Sequence, residues 1–294
     1  MKTRFETLEN KNALIFSLMG VVALFIIGNI LNQGEYEIIE DIYPLDLLFI
    51  ITPITVIFLG SIMVLKYGIH GNHSIAWILF TLSFSCWFIA ESTFDYEVEY
   101  SLENISSFTA DIFWISGYPL FLGFTIFYLK PRRKIITKKI ILYSSIASLM
   151  LLIPTVYFAV DGDEIESLDD IEIFLFVMYP ILNAIILVPA IIATILFFKG
   201  EVNLLWTMIM FGTVFLLMAD TSYLIFLAEE DYYPGHPLDI LYIWSYIFYA
   251  FGTFSHINLF KKKRNQTLVE IINSKIVFTA SCGVSTPIIL IFFR

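Results

Sequence analysis

The chain has 294 residues, 58% of them hydrophobic and 17% aromatic, with only 15% charged and a formal net charge of −10. Soluble globular domains carry roughly 25% charged residues, so this composition and a mean hydropathy of +0.80 exclude a water-soluble enzyme or binding module. The acidic balance also argues against nucleic acid as a partner.

Apolar runs near 20 residues match the roughly 30 Å hydrocarbon core of a bilayer at about 1.5 Å of helix per residue. Nine such runs follow one another: Ala13 to Leu31, Leu45 to Leu65, Ile75 to Phe94, Ala110 to Leu129, Ile140 to Val160, Ile171 to Phe198, Leu204 to Ala228, Leu238 to Phe260 and Ile276 to Phe293. They predict an all-α polytopic transmembrane helical bundle of eight or nine helices. The first run lacks a small-residue cleavage site and is expected to remain as a helix rather than leave as a signal peptide. The sixth is overlong and contains Pro189, so it is expected to tilt, kink or begin above the membrane. The ninth is short, with Gly283 and Pro287 inside it.

Lys and Arg are retained on the cytoplasmic side during insertion. All but Arg294 of the 17 basic residues precede the first run or follow the second, fourth, sixth and eighth. The alternate loops are acidic, the richest being Asp161, Asp163, Glu164, Glu166, Asp169 and Asp170. The amino terminus is therefore expected in the cytoplasm, with a basic inner rim suited to anionic lipid headgroups and an acidic outer rim. Of the N-x-S/T triplets at Asn72, Asn104 and Asn265, only Asn104 is expected outside.

Chemistry-bearing motifs are sparse. Cys86 and Cys282 lie inside apolar runs as small hydrophobes, and His70, His73, His236 and His256 are divided between the two sides, against a shared metal centre. No paired metal ligands, nucleophile elbow or phosphate loop is present, so the chain is not expected to be an enzyme.

The most informative feature is an internal repeat. Trp77 to Glu91 and Trp206 to Asp220 both span 14 residues; Asp111 to Tyr118 and Asp239 to Tyr246 both span 7, with Trp114 and Trp244 nearby. Ala90-Glu91 matches Ala219-Asp220, and Tyr118-Pro119 is echoed by Tyr179-Pro180. The spacing predicts repeated helical hairpins in one orientation, related by an axis along the membrane normal. A single membrane domain over 1–294 then divides into two leading helices (1–74), a first repeat half (75–198), a second (199–264), and a linker with the ninth run (265–294).

Asp46, Asp111, Glu172 and Asp239 open helices at the expected outer face, where an acid caps free N–H groups. Glu91 and Asp220 differ, for each lies about 16 residues, or about 24 Å, into an apolar helix. An ionised acid at membrane depth costs about 2.5 to 3.5 kcal/mol, so such residues face a cavity or find a proton or partner. The candidate ligand-binding residues are thus Glu91, Asp111, Trp114, Tyr118, Asp220, Asp239, Trp244 and Tyr246. A structural hydrogen-bond network is the alternative reading of the acids, and packing or an interfacial belt that of the aromatics.

Trp77, Glu91, Ser106-Ser107-Phe108-Thr109-Ala110-Asp111, Gly117-Tyr118-Pro119-Leu120, Tyr179-Pro180, Ala219-Asp220 and Pro237-Leu238-Asp239 with Trp244 and Tyr246 together resemble a known pattern. It is the multi-spanning sensory region that precedes diguanylate cyclase or histidine kinase domains in microbial signalling proteins. The resemblance covers about Ile75 to Arg264. It implies a sensor in a prokaryotic cytoplasmic membrane. In that family a catalytic module follows the last helix, whereas here Lys261 to Lys275 lead into another apolar run, so any signal is expected to pass through a partner protein. A transporter of a cation or small molecule using Glu91 and Asp220 is the alternative; no cofactor is indicated.

Overall fold

The computed structural model describes residues 44–99, 108–160, 170–198, 200, 202–228 and 236–258, with isolated helical positions at 19, 20, 23 and 27. The first run lies mostly, and the ninth wholly, outside the described residues. The other seven runs are helices: α1 Pro44–Tyr67, α2 Asn72–Glu99, α3 Phe108–Leu129, α4 Lys138–Val160, α5 Asp170–Phe197, α6 Asn203–Ala228 and α7 over 240–258. No strand occurs among the described residues. Six of these helices are long and apolar enough to cross a membrane. In hydrocarbon every backbone N–H and C=O must be satisfied within the chain, which is why such runs become helices. The seventh, α7, carries Tyr242, Tyr246, Tyr249 and His256, and these turn inward to the polar contacts described below.

Helix ends fall where the sequence supplies breakers. Gly68 follows α1 at φ 74°, a left-handed conformation favouring glycine, and its N–H caps Val64 O at 2.9 Å. Lys130–Ile135 closes α3 as a 3-10 turn rich in basic residues. Proline inside a span does not break it: α5 runs unbroken through Pro180 and Pro189. Its 28 residues correspond to about 42 Å, longer than the hydrocarbon core.

The helices alternate in direction, so Glu91, Asp111, Asp220 and Asp239 gather towards one end of the bundle and Lys66, Lys130, Arg132 and Lys138 at the other. Neighbours in sequence pack as hairpins, α1 on α2, α2 on α3, α4 on α5 and α5 on α6, and α3 also packs across onto α5. Ring contacts place α7 between hairpins: Phe49 of α1 meets Tyr242 at 6.4 Å, Phe84 of α2 and Phe121 of α3 meet Tyr249 at 4.9 and 5.5 Å, and Trp77 stacks on His256 at 5.7 Å. Phe80, Phe84, Phe121 and Phe124, all at 0% exposure, form an aromatic layer across the middle. Edge-on pairs such as Phe80–Phe124 at 4.9 Å and 61° set their ring dipoles favourably.

Candidate functional site

At the acidic end, side chains from five helices meet. Asp220, on α6, accepts from Tyr118 Oη of α3 at 2.6 Å and from Asn183 Nδ2 of α5 at 2.6 Å, with Tyr242 of α7 nearby. Asp111, which opens α3, accepts a short hydrogen bond from Tyr179 of α5. Glu91 of α2 accepts from Trp114 Nε1 at 3.3 Å, and Tyr246 of α7 lies within electrostatic reach of it. Tyr223, about one turn beyond Asp220 on α6, holds its hydroxyl within electrostatic reach of Asp111, Asp239, Glu91 and Asp220.

Local sequence explains why these groups can meet. Tyr118 precedes Pro119 and Tyr179 precedes Pro180; in each case the tyrosine lies near the middle of its helix and reaches across to an acid on a neighbouring helix. Close helix approach is made possible by glycine. A Cβ at Gly117 would overlap the Trp87 indole, and the bare backbone there lets Trp87 Nε1 donate to Trp114 O at 3.1 Å. One at Gly212 would come within 2.9 Å of the Tyr249 ring, whose hydroxyl hydrogen-bonds Thr213 Oγ1 at 3.1 Å.

The donors to these carboxylates are neutral: phenol, indole and amide. Among the described residues every Lys and Arg lies towards the opposite, basic end, and no set of three or more His, Cys, Asp and Glu is placed to hold a metal ion. Asp111 and Asp239 are 7% and 4% exposed. Glu91, Asp220, Tyr179, Tyr223 and Tyr242 keep part of their surface accessible, although their partners lie on other helices. Asp111 and Asp220 are reached by neutral phenol and amide donors, and a buried carboxylate so held is costly unless its remaining lone pairs are satisfied.

Of the residues singled out from sequence, Glu91, Asp111, Trp114, Tyr118, Asp220, Asp239 and Tyr246 come together at this end. Trp244 does not join them: its ring packs edge-on against Phe215 of α6 at 5.5 Å. The reason is helical phase. Trp114 stands three residues after Asp111 and Trp244 five after Asp239, and at about 100° per residue the two indoles leave different faces. Asp46 and Glu172 are positions whose side chains lie outside those described. Tyr179, Asn183, Tyr223 and Tyr242 belong to the site without having been chosen from sequence; Asn183, a lone amide in an apolar run and four residues after Tyr179, was the available signal.

A second polar cluster sits at the basic end. Tyr67 Oη and His256 Nε2 are 3.1 Å apart; His73 stacks on Tyr67 at 5.6 Å and meets Tyr128 edge-on at 4.9 Å, and Tyr128 meets Trp206 at 4.9 Å. The aromatic layer separates this cluster from the acids. Compared with protein-family models, with curated proteins and with solved structures, the chain gives no significant match, so a functional reading rests on the geometry of these helices.

Proposed function

We propose that this chain is a receptor-like sensor in a cell membrane, with the acidic end of its bundle facing outward and a ligand-responsive site among Glu91, Asp111, Asp220 and Asp239. The observation that carries the reading is Asp220, deep in an apolar bundle, held by Tyr118 at 2.6 Å and Asn183 at 2.6 Å from two other helices, with Asp111 held by Tyr179 and Glu91 by Trp114 at the same end. Such acids in a membrane span are functional by default. The positive-inside distribution supports the outward orientation.

The repeat also finds support in reciprocal contacts. Tyr118 of the first hairpin donates to Asp220 of the second, and Tyr246 of the second lies within electrostatic reach of Glu91 of the first. Near the basic end Tyr128 of the first meets Trp206 of the second, and His256 of the second stacks on Trp77 of the first. Exchange of equivalent contacts is what two similar hairpins related by a two-fold axis produce. A ligand binding between them would alter both contacts at once, and the inner basic loops would carry the change to a partner protein. The buried rings of Phe80, Phe84, Phe121 and Phe124, packed between the acids and the basic end, favour a sensor over a carrier.

The test joins binding with transport. Thermal unfolding of the purified protein is followed across a panel of ions and small molecules, for wild type, Glu91→Gln and Asp220→Asn. A sensor predicts a compound that raises the melting temperature of wild type and of neither variant, and that is not moved by the protein across a liposome membrane. Accumulation of that compound inside liposomes would replace the sensor with a carrier.

A further inference from the structure

The basic end carries a concentration of charge that the fold itself does not use. Lys130, Arg132, Arg133, Lys134, Lys138 and Lys139 stand close together between α3 and α4, and all six are exposed. Among the described residues none of their side chains forms an ion pair or a hydrogen bond; Lys130 Nζ lies 5.1 Å from the centre of the Phe127 ring. The backbone that carries them is nevertheless held. Lys130–Ile135 is a 3-10 turn, the Arg133 carbonyl accepts from Ile136 N at 3.3 Å, Ile136 packs against the core, and Thr137 Oγ1 accepts from Ile140 N at 3.3 Å where α4 begins. Side chains three apart eclipse in a 3-10 turn, so Lys130 and Arg133 share one edge.

We infer that this turn and the start of α4 bind the headgroup of an anionic phospholipid, the phosphodiester meeting Arg132, Arg133, Lys134, Lys138 and Lys139. Two features reach beyond a charge that only fixes orientation during insertion. Lys138 and Lys139 open α4, whose first turn holds no acid; the helix dipole disfavours cations there, so they add no stability to the helix, whereas an anion at that end meets both lysines and the N–H groups of the first turn. Apolar side chains also stand among the charges, with Ile135 and Ile141 at 51% and 46% exposure. A soluble acidic partner answers the cations and leaves the isoleucines in water, while a phospholipid covers them with its acyl chains and turns its phosphate to the cations. The level is right for it: Thr109–Ile135 is apolar enough to cross a membrane, and only residues 130–137 join α3 to α4, which keeps the charges at the membrane boundary. A zwitterionic headgroup fits less well, because its own ammonium is repelled by the cluster. This surface lies at the other end of the bundle from the acids and is independent of the receptor reading.

The experiment titrates the full chain, purified in a nonionic detergent, with short-chain phosphatidylglycerol, with phosphatidylcholine of the same acyl chains, and with inorganic phosphate. A saturable rise in melting temperature is expected with phosphatidylglycerol, and a far smaller one with phosphatidylcholine or phosphate. Replacing Arg132, Arg133 and Lys134 together by Gln is expected to weaken the phosphatidylglycerol response at least tenfold, since each basic residue near an anionic surface adds to the attraction. Replacing Lys262, Lys263 and Arg264 together by Gln removes the same charge elsewhere and is expected to leave the response in place. Should the first triple variant fail to fold, Lys138→Gln with Lys139→Gln takes its place: without lipid it is expected to be at least as stable as wild type, because two cations leave a helix N-terminus, and its response to phosphatidylglycerol falls several-fold. Equal responses to the two lipids overturn the proposal, as does equal weakening by the two triple variants or a response unchanged by the substitutions at 130–139. Inorganic phosphate acting as well as phosphatidylglycerol overturns the lipid assignment in favour of a free anion.

Discussion

Tyr118→Phe removes one oxygen from a side chain that is 3% exposed, yet it takes from Asp220 one of its donors at 2.6 Å. A hydrogen bond to a charged group contributes about 1.5–3 kcal/mol, and a buried group left short of a partner costs on the same scale. Tyr118→Phe should therefore destabilise the protein by about 2 kcal/mol. The expected coupling with Asp220→Asn in a double-mutant cycle, read by reversible unfolding, is about 1–3 kcal/mol. The same cycle on Tyr246→Phe and Glu91→Gln should give a coupling of the same sign, since the two contacts exchange the same residue types between hairpins. Zero coupling in both cycles would mean that the tyrosines only pack, and the site would lose its polar framework.

Packing of α2 on α3 depends on the missing side chains of Gly117, against Trp87, and Gly123, against Leu79. A methyl at Gly117 would overlap the Trp87 indole, and overpacking a well-filled interior costs about 1–3 kcal/mol. Gly117→Ala is expected to destabilise by that amount, and by clearly less in a Trp87→Phe background, where a smaller ring leaves room; equal costs in both backgrounds would show that the helices already separate at this point. Helix positions were legible in the sequence because apolar length and breakers act locally: the run Ala110 to Leu129 became Phe108–Leu129, and Ile140 to Val160 became Lys138–Val160. Which helices touch is a tertiary property, decided by small residues such as Gly117 and Gly212 that look unremarkable within an apolar run. For the same reason the acids were readable while half of their donors were not. A carboxylate in a membrane span stands out by cost alone, whereas Tyr179, Tyr223 and Tyr242 stand among the chain's 16 tyrosines and are distinguished only by the side of the helix they occupy. Trp244 shows the converse: it lies near Asp239 in sequence as Trp114 lies near Asp111, but two residues later in phase, and its ring meets Phe215.

For the molecule as a whole, direction across the membrane decides what the acid site can meet. Two loops report it oppositely. Arg132 lies in the basic 3-10 turn after α3, and Glu164 belongs to the acidic segment between α4 and α5. With Cys86 and Cys282 replaced by serine, Glu164→Cys should react with a membrane-impermeant maleimide on intact cells, and Arg132→Cys only after lysis. Retention of Lys and Arg on the cytoplasmic side underlies the expectation, and the basic residues are so unevenly shared that a mixed orientation is disfavoured. Labelling of Arg132→Cys on intact cells, with Glu164→Cys protected, would turn the bundle over. Glu91, Asp111, Asp220 and Asp239 would then face the cytoplasm, and the aromatic layer of Phe80, Phe84, Phe121 and Phe124 would shield them from the outside. An outward receptor would be untenable in that orientation, because a ligand arriving from outside would have to cross four buried phenyl rings to reach the carboxylates.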